Sequence, residues 1–309
     1  MKNKLNRAGK GFTIIELMVS LTIGLIVTWA VTSLFTVTTK TFRSQDSSAR
    51  TQETGRNVLS IFAQHIRQAG FFELTGLEKA TNFTQFVAGY TGFENVLAIK
   101  GCKGTFAYAS PWNCTTNTAL PDSMLLAYQV QSTTAASTAG INNLLSPLAN
   151  SIVGTDCLGQ DPTATSASPK GIIAINYFHV DTTTRRLMCR GNGSSSDLVL
   201  ADGVEDLRVL YGLNANSLVA SSPIQYLPAN LVPAADWPKI QSVRICVQVR
   251  ATQVSTGSSK SSGVEFSGIS GQDCQGRDWS QTGLYTDGIL RRAYWTTISV
   301  RNQNQRIPL

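Results

Sequence analysis

One carboxylate stands inside a long apolar run. Glu16 is the only charge between Lys10 and Lys40, and residues 17–39 give 23 uncharged positions. A helix needs roughly 20 such residues to cross the hydrocarbon core of a bilayer. On insertion scales an ionised side chain costs about 2.5–3.5 kcal/mol at the centre of such a helix and less near its ends. A cut between Gly11 and Phe12 supplies the means to offset this, because it creates an ammonium group four residues before Glu16. One helical turn separates the two groups. Within one chain the pair would sit at a crowded helix end; between two chains side by side it would also fix their axial register. The plain alternative is a polar residue tolerated near the interface of an ordinary signal anchor.

The elements that must position these residues follow from the surrounding pattern. Lys2, Lys4, Arg7 and Lys10 make the leader basic, and without it 22 basic residues face 19 acidic ones. The net charge of +7 is therefore largely a topology signal, with the leader on the cytoplasmic side and the rest outside. The apolar stretch is too long for a secretory signal peptide, and no A-x-A site follows it closely. Beyond Lys40 the chain turns polar yet stays helix-compatible. Val58, Phe62, Ile66 and Ala69 form an amphipathic stripe with Leu59 beside it. No proline precedes Pro111, so nothing forces a break; Gly55 is read as a soft point and Gly70 as the stop. One helix over Phe12–Ala69 would be about 85 Å long.

After Gly70, short β-like runs alternate with Gly, Ser, Thr, Asn and Pro. Ser242–Arg250 reads as a half-buried strand, and Met124–Val130, Ile172–Val180, Val204–Tyr211 and Ala293–Arg301 as further strands. Gln131–Pro169 reads as long loops with one short element near Ile141–Leu148, and Ser255–Gly271 as a hairpin excursion. No internal repeat or clean linker stands out, and two closely joined β-lobes fit the pattern.

Cys102, Cys114, Cys157, Cys189, Cys246 and Cys274 lie in the exported part, consistent with an oxidising compartment. Fifteen full pairings exist; local pairing, Cys102–Cys114, Cys157–Cys189 and Cys246–Cys274, is the simplest, with buried free thiols as the alternative. There is no CxxC, and His65 and His179 are the only histidines, which disfavours a zinc site. Ser194–Ser196 lack a G-x-S-x-G elbow. Asp202, Glu205 and Asp206 read as a turn entering a strand rather than a cation site, and Arg291 and Arg292 as solvated strand arginines rather than nucleic-acid contacts. No catalytic group, cofactor or metal is expected.

The run Lys10-Gly11-Phe12-Thr13-Ile14-Ile15-Glu16-Leu17 closely resembles the class III signal of type IV pilins and pseudopilins. The resemblance implies cleavage after Gly11 by a prepilin peptidase, methylation of Phe12, and pairing of Glu16 with an N-terminus in a filament. The chain is longer than a typical major pilin. Leu59–Gly70, Asp202–Leu213, Trp237–Arg250 and Arg291–Asn302 are similar to the large minor pilins of the PilW family. They are more loosely similar to the J-class pseudopilins of type II secretion.

The resemblance implies an α+β fold, a long N-terminal helix packed on an antiparallel β-rich head. Its expected parts are a cleaved leader 1–11, a membrane and assembly half 12–39, an amphipathic half 40–70 and a periplasmic head 71–309. It further implies a non-enzymatic subunit that helps initiate type IV pilus assembly, within a minor-pilin complex at the tip. Expected partners are the peptidase, other minor pilins, the major pilin, an inner-membrane assembly platform and membrane lipid. The expected location is the inner membrane in a single pass, then the pilus or cell surface. A J-like pseudopilin and a signal-anchored periplasmic binding protein are the alternatives.

Overall fold

The computed structural model describes residues 11–72, 83, 96–107, 112–130, 155–160, 162, 167–168, 171–193, 196–214, 224–251, 272–277 and 289–302. The expected element at Ile141–Leu148 and the whole Ser255–Gly271 excursion lie outside them. A single helix, α1, runs over Ile14–Gln68. At about 1.5 Å per residue it is about 82 Å long. Thr13, in extended conformation, is its N-cap, and its hydroxyl accepts from the Glu16 N–H at 3.4 Å. The hydroxyls in the apolar run fold back onto the helix. Ser20, Thr22, Thr28, Ser33, Thr36 and Thr38 each donate to a carbonyl three or four residues earlier. Their polar hydrogens are thereby satisfied without water, as an apolar medium requires.

The antiparallel strands form two main sheets and a small ribbon. In the first sheet β1 (Ile99–Cys102), β4 (Ser123–Val130), β6 (Gly171–Asp181), β7 (Arg186–Gly191) and β8 (Leu198–Asp202) lie in that order, with β5 (Ala167–Ser168) paired to β6. The second has β9 (Val204–Asn214), β10 (Ile224–Pro228), β11 (Ile240–Arg250) and β12 (Arg291–Ser299) in the order β10-β9-β11-β12. The ribbon pairs β2 (Gly104–Phe106) with β3 (Cys114–Thr116). The last strand starts and ends two residues before the alternation in Ala293–Arg301 predicts. One hydrophobic core joins the two sheets and the C-terminal part of α1, so the expected lobes share a core.

The helix lies against β4, β8, β11 and β12. Thr51, Gly55, Val58, Phe62, His65 and Ile66 are its buried residues, a stripe of helical spacing facing the sheets. Phe62 is wholly buried against Phe178, ring centroids 5.3 Å apart. Gly55 does not soften the helix, which runs unbroken through it. It is the point of closest approach to β12: a Cβ there would lie 2.4 Å from the Tyr294 ring.

β11 departs from simple alternation. Val243, Ile245, Val247 and Val249 are buried as expected, but so are Cys246 and Gln248 on the opposite face. Cys246 is bonded to Cys274 of the turn at 272–277, and Gln248 donates to Glu205, so both faces of the strand centre are covered.

A short internal repeat, absent from the sequence expectation, emerges here. Asp156-Cys157-Leu158-Gly159-Gln160 and Asp273-Cys274-Gln275-Gly276-Arg277 fold into the same knot. In each, the aspartate Oδ1 accepts two backbone N–H groups at 2.8–2.9 Å, and the glycine is left-handed, with φ +73° and +78°. The aspartate N–H then donates to the fifth residue's carbonyl, at 3.0 and 2.9 Å. Each knot is bonded to a strand, Cys157 to Cys189 of β7 and Cys274 to Cys246 of β11. The third disulfide, Cys102–Cys114, ties β1 to the ribbon. Each bridge contributes roughly 2–4 kcal/mol, which matters in a head with long connections.

Candidate assembly site

The N-terminal part of α1 stands clear of the head. Every residue from Gly11 to Thr38 is exposed, including Ile14, Ile15, Leu17, Leu21, Ile26 and Trp29. Leaving so much apolar surface in water at roughly 25 cal/mol per Å² is untenable, so this surface is built for a different environment. α1 is the one helix among the described residues long and apolar enough to cross a membrane. Gly11 and Phe12 lie just before it, outside regular secondary structure, with the Phe12 side chain exposed, and Glu16 is in the first turn. A carboxylate there meets the positive end of the helix dipole. The structure places Gly11, Phe12 and Glu16 together around the start of α1, outside the described head.

The other end of α1 is seated on the head by specific bonds. The Asn302 side chain donates to the Arg67 carbonyl at 2.9 Å and lies 3.4 Å from those of Gln68 and Ala69, capping groups that the helix leaves open. Gly70, at φ +76°, turns the chain, and its N–H donates to Ala127 of β4 at 2.9 Å. Nothing local in the sequence marks Asn302 as the cap of a helix that ends 234 residues earlier.

In the second sheet a charged knot gathers around Glu205. Arg291 is buried and clamps Glu205 through Nε–Oε2 at 2.6 Å and Nη2–Oε1 at 3.1 Å. Arg250 lies 3.4 Å and Arg185 3.7 Å from Oε1 of the same carboxylate. The expected reading of Arg291 as solvated is therefore corrected: Glu205 of β9, two strands away across β11, draws it in. Asp202 pairs with Arg186 at 2.7 Å and Asp206 with Arg208 at 3.0 Å. The three acids thus face different cations, and no group able to hold a metal ion occurs among the described residues.

His65 is buried on α1, its Nδ1 3.4 Å from the Tyr128 hydroxyl, which donates to the Thr155 carbonyl at 2.9 Å. His179 stacks on Tyr177 with ring centroids 4.7 Å apart and lies 3.7 Å from Asp197. Burial lowers the His65 pKa from 6.5 to about 4, with Asp156 opposing. The unfolded chain therefore binds this proton from about pH 6.5 downward and the folded chain only near pH 4. Its stabilising contribution is complete above pH 6.5 and is lost as the pH falls towards 4, a difference of about 3 kcal/mol. Denaturant unfolding at pH 7 and pH 4.5 is expected to show this drop in the native chain and a smaller one in His65→Gln.

Two family models match the chain. Residues 6–32 match the prokaryotic N-terminal methylation motif. Residues 177–302 match PilW, the type IV pilus-assembly protein W. Over those segments the chain is similar to PilW and to the N-terminal methylation motif. The PilW match runs from β6 to the helix-capping Asn302 and so takes in the whole second sheet. The methylation-motif match takes in Gly11, Phe12, Glu16 and the apolar run as far as residue 32. No curated protein matches the chain. Among solved structures it is similar to a type IV-like pilin from Thermus thermophilus, with 12% identity over 84% of this chain and 98% of that one. The TM-score is 0.32, too low to carry an argument.

Proposed function

We propose that the chain is a minor pilin that helps to initiate type IV pilus assembly, in a complex with other minor pilins at the pilus tip. Prepilin peptidase cuts after Gly11 and the new N-terminal Phe12 is methylated. The chain waits in the inner membrane in a single pass, with the head in the periplasm. Glu16 then neutralises an N-terminal ammonium as the helix joins a bundle with other minor pilins and the major pilin on the assembly platform. The observation that carries this reading is the exposed apolar helix with one carboxylate, Glu16, a turn after Phe12, rigidly continuous with a disulfide-tied head. The N-terminal methylation motif supports the processing step, and the PilW match supports the pilus over a type II secretion pseudopilus.

Deleting the gene tests the role. Surface pili are expected to be lost while major pilin accumulates in the inner membrane, and the native gene restores them. Normal piliation together with a secretion defect would instead assign the chain to a pseudopilus.

A further inference from the structure

The helix is continuous from Ile14 to Gln68, so positions along it fix depth in a membrane. Lys40 lies about 39 Å and Arg43 about 44 Å along the axis from Ile14. A tilt of roughly 20° reduces these heights to about 37 and 41 Å. With Ile14 at the inner edge of the hydrocarbon, that layer ends at about 30 Å and the polar layer about 5–7 Å beyond. Lys40 therefore stands at the top of the outer headgroup layer and Arg43 one turn above.

Helical side chains lean towards the N-terminus of their helix, here towards the bilayer, and long cationic stems extend the reach by several ångströms. The two residues are three apart and share one face. Both are exposed, and among the described residues neither has a carboxylate within ion-pair distance. The next charges along the helix, Asp46 and Arg50, are paired at 3.0 Å. Phe35 and Phe42, both exposed, lie before Lys40 and between Lys40 and Arg43, so apolar rings and cations share this stretch.

We propose that Lys40 and Arg43 bind the phosphates of anionic lipids in the periplasmic leaflet. They fix the depth of the unassembled subunit and favour acidic headgroups around it. This rests on the single-pass insertion proposed above. It also gives the anchor a cationic contact that survives removal of the basic leader.

The test uses the full chain reconstituted in vesicles of phosphatidylcholine with spin-labelled phosphatidylglycerol or phosphatidylcholine as the probe. Electron spin resonance reads the fraction of each probe immobilised by the protein. Lys40→Gln and Arg43→Gln, alone and combined, keep the leader charges constant and alter exposed positions only. Preference for phosphatidylglycerol is expected to fall about fivefold for each charge removed. Unchanged preference in the double variant, with the chain inserted, overturns the inference. So does unchanged lipid preference with impaired filament incorporation, which would assign the pair to a protein partner. A chain that protease digestion shows not to be inserted would overturn the single-pass reading itself.

Discussion

Glu16→Ala is expected to leave the chain inserted in the membrane and to remove it from the filament. The native carboxylate opposes insertion, by about 2.5–3.5 kcal/mol on scales for the helix centre and less near the end, so its loss does not weaken the anchor. In an assembled bundle the same group lies in an apolar surround and meets an N-terminal ammonium. Removing one partner of such a pair leaves the other buried and uncompensated, at about 3–5 kcal/mol. A loss of that size corresponds to an at least hundredfold decrease in incorporation. Quantifying the subunit in sheared pili and in inner membranes checks both halves. Wild-type levels of Glu16→Ala in pili would count against an assembly role, and a loss from both fractions would point to simple instability.

The second large effect is expected in the head. In Glu205→Gln the Arg291 guanidinium stays buried, with a neutral amide where two charge-assisted bonds had been, and Arg250 loses the same counter-charge. The expected destabilisation is about 3–5 kcal/mol. Arg185→Ala is the control: its side chain is half exposed and 3.7 Å from Glu205, so its loss should cost under about 1 kcal/mol. Denaturant unfolding of the two variants beside the native chain separates a buried clamp from a surface ion pair. Equal small losses would show that Glu205 does not depend on its burial.

The parts of the molecule that were legible in the sequence share a physical reason. Val58, Phe62 and Ile66 recur at helical spacing because a helix shows one face to the sheets. Val243, Ile245, Val247 and Val249 alternate because a strand shows one face to a core. Such signals are local. The motif of Gly11, Phe12 and Glu16 is local in the same way, within six residues, and its roles in processing and assembly are those proposed above.

What escaped was set by distant contacts. Arg291 looks solvated in its own strand, and only Glu205 of β9, two strands away across β11, makes it a buried clamp. Gly55 reads as a flaw in a helix until the Tyr294 ring occupies the space where its Cβ would be. Asn302 caps α1 across the length of the chain. The Asp-Cys-x-Gly knots repeat over too few residues, too far apart, to register as a period, and their likeness lies in hydrogen bonds rather than composition.

The central claim is that the apolar helix becomes an assembly element when its leader is removed, and the N-terminus of the mature protein tests it most directly. Mass spectrometry of the N-terminal peptide from chain isolated from membranes or pili should find Phe12 as the first residue, bearing one methyl group on its amine. An intact leader, or a cut at any other bond, would contradict the account.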